Sequence, residues 1–119
     1  DWGGFHTLVR LVGSAKAMEL MMTGDRIKGE EAYRLGLLNQ LLPLEGFQDQ
    51  VHAFAERLAA GPPQALAAIK RGIQGAAGPG LGDALNFEHQ TQATLILSDD
   101  AREGMRAFQE KRPPVFGGG

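Results

Sequence analysis

The sequence predicts a mainly α-helical chain, on three observations. Apolar residues recur at helical spacing through most of the 119 residues. Glycine and proline clusters punctuate those runs. A single stretch, Leu37 to Leu42, is short and apolar enough for a strand, and it has no second stretch to pair with.

The elements follow in order. Phe5 to Leu11 reads as a short helix carrying Leu8 and Leu11. Ser14 is expected to cap a second helix, its hydroxyl accepting a free backbone N–H. Met18, Leu20, Met21 and Met22 crowd that helix, and Gly24 stands where a left-handed C-terminal residue is wanted. A third helix is expected over Glu30 to Leu35, ending at Gly36. Phe47, Val51, Phe54 and Leu58 share one face of a fourth. Pro62-Pro63 stops it and opens the next, whose face is Leu66, Ile69 and Ile73. Gly75 to Gly82 reads as a flexible connector. With no strand before it and no Lys-Ser/Thr after it, it is no phosphate loop. A long helix follows, from Leu81 or Asp83 to Leu97. Asp100 and Glu103 are expected to form an acidic capping box for the last helix, which carries Ala101, Met105 and Phe108. Pro113-Pro114 ends it, and Gly117 to Gly119 are expected to be disordered.

Composition excludes several function classes. Twelve Lys and Arg against fourteen Asp and Glu give a net charge of −2, without the strongly basic face of a general nucleic-acid binder. The absence of Cys rules out disulfides and thiol chemistry and disfavours structural zinc. His6, His52 and His89 are isolated, so no metal site is expected. No apolar run reaches the ~20 residues of a membrane span, and no secretory leader is recognisable. The expectation is a soluble, cytoplasmic protein. Ser14 and Ser98 are the only serines, and neither sits in a G-x-S-x-G turn. Glu30-Glu31 and Asp99-Asp100 fall at helix starts, where acids complement the dipole without any catalytic role.

Two stretches carry more. One is the opening DWGGFHTLVRLVG together with GDRIKGEEAYRLGLLNQLLP. The other is SDDAREGMRAFQEKRPPVF. Their order and spacing resemble the C-terminal third of the crotonase superfamily, the enoyl-CoA hydratase/isomerase family. The matching residues are the Gly-rich turn, Leu8 to Gly13, Ala17 to Leu20, Thr23-Gly24, Ile27 with Glu31-Ala32, and Gly36 to Asn39. They close with Glu103-Gly104, Ala107-Phe108, Glu110 to Arg112, Pro114 and Phe116. The resemblance covers essentially the whole chain. Phe5, where many members have Thr, and Lys28-Gly29, where small capping residues are usual, depart from it.

The resemblance implies a β/α spiral core ahead of Asp1, holding the oxyanion-hole N–H groups and the hydratase glutamates. It therefore implies that this chain is a fragment: 1–43 a helical segment lining the acyl pocket, 44–119 a helical oligomerisation and CoA-contact region. An enolate formed from a CoA thioester needs donors aimed at its oxygen, each often worth ~3–4 kcal/mol, and nothing in these helices supplies them. Asp1 stands where the hydratases have Gly. Some isomerases and dehalogenases of the family carry a reacting acid there, so Asp1 is the candidate catalytic residue; its alternative is a cap for the helix near Phe5. Phe108 and Lys111 match the family's contacts to CoA. Their alternatives are a core ring and a cation at a helix C-terminus. The implied substrate is an acyl-CoA, with no cofactor beyond the CoA of the thioester. Trp2, Phe5, Met18, Met21 and Met22 offer more apolar surface than two short helices hide, and the resemblance implies a homotrimer or hexamer. The competing reading is a non-enzymatic helical module that self-associates.

Overall fold

The computed structural model describes residues 3–76 and 78–119, with the backbone alone for Ala76. Those residues form six α-helices and one π-helical turn, with no strand among them. The chain divides into two units, Asp1–Gln50 and Val51–Gly119.

In the first unit, α1 (Gly4–Thr23) is one element with a break at Gly13 (φ 77°, ψ 163°). That conformation is essentially closed to any residue with a Cβ. Gly13 therefore holds the junction at which a cap by Ser14 was expected, and Ser14 follows it inside the second limb. The break folds the limbs back on one another: a Cβ at Gly4 would stand 3.4 Å from Met21 Cε. Ala17 is buried, whereas Phe5, Met18 and Met22 are exposed. Gly24 ends α1 in the left-handed conformation as expected, its N–H bonding Leu20 O.

Helix α2 (Gly29–Arg34) carries Glu30 and Glu31 in its first turn. It closes in a Schellman motif, with Gly36 N–H to Tyr33 O and Leu37 N–H to Ala32 O. The strand candidate from Leu37 to Leu42 is irregular. No partner strand satisfies its amides, and Leu41 Cδ1 instead packs 3.0 Å from where a Gly29 Cβ would stand. Helix α3 (Phe47–Ala59) carries the chain from the first unit into the second.

In the second unit, α4 (Pro63–Arg71) starts on Pro62-Pro63 as the sequence requires, with Leu66 N–H bonded to Pro62 O. It runs on into the π-helical turn Gly72–Ala76, so the expected connector is partly helical. Gly72 has a packing role here: a Cβ would lie 3.0 Å from Phe87 Cε1 of α5 (Leu81–Leu95). Asp83 turns back to accept the Gly80 N–H and so satisfies one donor at the start of α5. Only Ala17, Ala68, Ala107 and Asp100 are fully buried among the described residues. The expected helix faces formed, and much of their apolar surface is open: Phe54, Leu58, Ile69 and Leu85 are all exposed.

Candidate functional site

Helix α6 (Asp99–Glu110) organises the site. Its cap is Ser98, whose Oγ accepts the Ala101 N–H at 3.1 Å. The expected capping box of Asp100 and Glu103 is not formed, because both carboxylates bond the segment that follows the helix. Asp100 is buried, with Oδ1 accepting from Gly117 N–H at 2.8 Å and both oxygens from Gly118 N–H at 3.1 Å. Gly119 O accepts the Asp99 N–H. The last glycines, expected to be disordered, are therefore held against the start of α6 by its free acceptors and donors.

Glu103 anchors the middle of this tail. Arg112 donates a fork to it, Nη1 to Oε1 at 2.6 Å and Nη2 to Oε2 at 3.0 Å. Val115 N–H adds a bond of 3.0 Å to Oε1. The fork first, then the Val115 N–H, holds the Glu103 carboxyl down to about 2. Arg112 also donates Nε to Glu110 at 2.6 Å, and both carboxylates push its own pKa up. Phe116 lies over Gly104, where a Cβ would stand 3.7 Å from its ring. The tail thus runs back along α6.

At the turn between helix and tail stand the two residues singled out by the sequence. Phe108 is 85% exposed, so within the described residues it is no core ring. Lys111 is also exposed and takes the left-handed conformation (φ 53°, ψ 39°), alone among the described non-glycine residues. Its N–H bonds Phe108 O and the Arg112 N–H bonds Ala107 O, a Schellman motif with lysine where glycine is usual. Such a backbone costs an L-residue about 1–2 kcal/mol. Asp1 lies outside the described residues, as does Trp2; the N-cap position of α1 belongs to Gly3. The structure brings Phe108 and Lys111 together and gives no placement for Asp1.

Sequence reasoning missed Asp100, Glu103 and Arg112 as tail anchors. The available signal was a Glu and an Arg flanking a helix end just before Pro113-Pro114. Two concave surfaces also occur in this unit. One of about 980 Å³ lies along α4, the π-helical turn and α5, and includes Ile69, Ile73 and Leu85. Another of about 380 Å³ includes Asp100, Met105 and Phe116. Neither is lined by Phe108 or Lys111. Among the described residues no cluster of three His, Asp or Glu is placed to hold a metal ion.

The sequence profile described as enoyl-CoA hydratase/isomerase matches residues 1–119. The chain belongs to the enoyl-CoA hydratase/isomerase family. It is 41% identical to a probable enoyl-CoA hydratase of Rhodobacter capsulatus, over 99% of this chain and 46% of that protein. It is 36% identical to the 1,2-epoxyphenylacetyl-CoA isomerase of Escherichia coli, over 99% of this chain. Among solved structures, enoyl-CoA hydratase subunit I from Geobacillus kaustophilus superposes with a TM-score of 0.91 at 38% identity, covering all of this chain and 46% of that one. The chain thus spans less than half the length of these relatives. Its helices are those of the hydratase/isomerase fold, as the resemblance implied. No helix is long and apolar enough to cross a membrane among the described residues.

Proposed function

We propose that this chain is the helical, CoA-contacting portion of an enzyme that forms and stabilises an enolate on a CoA thioester. Phe108 would pack on the coenzyme and the Lys111 ammonium would meet one of its phosphates. The CoA of the thioester is the only coenzyme in this reading. The observation that carries it is the end of α6, where an uncovered aromatic ring and a left-handed lysine stand together in a chain of this family. Oxyanion donors and the reacting glutamates would come from the spiral core, so the isolated chain is expected to be inactive. The exposed Phe5, Met18 and Met22 support assembly into trimers or hexamers. The cytoplasm is the proposed location.

Asp1 sets the reaction class within this proposal. As an acid or base at the opening turn it would make the enzyme an isomerase rather than a plain hydratase. Likeness to the E. coli isomerase favours weighing that second reading beside hydration. The deciding experiment assays enoyl-CoA turnover by the complete enzyme and by the isolated, scrupulously pure chain. Activity confined to the complete enzyme is expected. Comparable rates from the isolated chain would refute the division of labour.

A further inference from the structure

Lys111 is the one described non-glycine residue with a left-handed backbone. What holds it there lies on either side of it. Toward the helix, its N–H and that of Arg112 close the Schellman motif on Phe108 O and Ala107 O. Beyond it, the very next residue is clamped: Arg112 grips Glu103 through two parallel bonds, and Glu103 also takes the Val115 N–H. Asp100 then fixes Gly117 and Gly118 one turn nearer the helix start. A planar guanidinium forked onto a carboxylate fixes orientation as well as distance.

We infer that Glu103 is a positioning residue for coenzyme A binding: by clamping Arg112 it holds Lys111 in its left-handed conformation at the end of α6, next to Phe108. Glu103 itself touches no ligand in this arrangement. A lysine free to relax to an ordinary helical or extended backbone would carry its ammonium elsewhere. Backbone strain kept by its surroundings is a recurrent feature of ligand-binding positions. The inference rests on the proposal that Lys111 meets a CoA phosphate, and its test separates the two.

The test measures affinity of the complete enzyme for two probes, free coenzyme A and pantetheine, which lacks the phosphates. Glu103→Gln keeps the size of the side chain and removes the charge that grips Arg112. Binding of coenzyme A is expected to weaken about fivefold, as for an ion pair at the upper end of the exposed range. Pantetheine binding is expected to hold. Lys111→Ala should give the same selective loss. If Lys111→Ala weakens coenzyme A and Glu103→Gln does not, the positioning role is overturned while the phosphate contact stands. If Lys111→Ala changes nothing, the contact fails and the inference with it. Equal weakening of both probes by Glu103→Gln would reduce the clamp to a folding role and also overturn it. Should Glu103→Gln not fold, Arg112→Lys is measured in its place; it keeps the charge but loses the fork, and the same outcomes decide.

Discussion

Arg112 lies nine positions after Glu103 and meets it through two hydrogen bonds, of 2.6 and 3.0 Å, that turn the chain back along the helix it has just left. The pair links the end of α6 to its middle. What lies between them, Phe108 and Lys111 included, is held at both ends.

The clamp should be sensitive to acid. Glu103 is lowered from 4.5 to about 2 by the Arg112 fork and the Val115 N–H. Its folded value lies below its unfolded one, so its contribution to stability is complete above the unfolded value and fades as pH falls toward the folded one. Amide exchange at Val115 should therefore accelerate as pH drops from about 4.5 to about 2 relative to an unstructured reference peptide. Wild type and Glu103→Gln should converge in stability over that interval. A stability gap unchanged down to the bottom of it would contradict this account.

Gly13→Ala should destabilise the first unit. A Cβ meets no atom within 4 Å there, so crowding is not the reason. The penalty is the backbone conformation, worth about 1–3 kcal/mol. Thermal unfolding of the complete enzyme is the measurement. A melting temperature at or above wild type would show that the break tolerates a side chain.

Lys111→Gly should separate stability from binding. Glycine takes the left-handed conformation without the steric cost, although it loses more chain entropy on folding, so the net gain is at most about 1 kcal/mol. Stability should hold or rise while coenzyme A affinity falls. Loss of stability would mean the lysine side chain makes contacts of its own.

Asp1→Asn should lower turnover by ~10²–10⁴-fold if Asp1 transfers a proton. Gly3 occupies the N-cap position of α1, so the melting temperature should scarcely move. Retained turnover in the complete enzyme would return the chemistry to hydration by the glutamates of the core.

The helical architecture was legible because it is written in local patterns. The face of Phe47, Val51, Phe54 and Leu58, the Pro62-Pro63 start and the Gly24 and Gly36 ends each depend on near neighbours in sequence. What escaped depends on residues far apart or on a backbone state. Asp100 looked like an ordinary acid at a helix start, because its partners lie seventeen and eighteen residues onward. Three terminal glycines looked disordered, because nothing local marks their N–H groups as paired. Phe108 and Lys111 stood out through the family pattern. The left-handed backbone of Lys111 had no residue-type signal, since glycine is what normally announces that conformation.

The break at Gly13 also fixes how far α1 reaches. Without it, the same residues would form a straight rod of about 28 Å at 1.5 Å per residue. Folded at Gly13, the element doubles back far enough for Gly4 to come beside Met21. Each residue of an α-helix turns about 100° around the axis, so deleting Gly13 would not merely shorten the element. It would join the two limbs in one continuous phase, in which spacing along the chain alone sets where Met18 and Met22 face relative to Leu8 and Leu11, with Met18 turned to the side opposite Leu8. The two apolar stripes are independent only because the helix does not count through that glycine, and one segment can thereby present different sides to different neighbours.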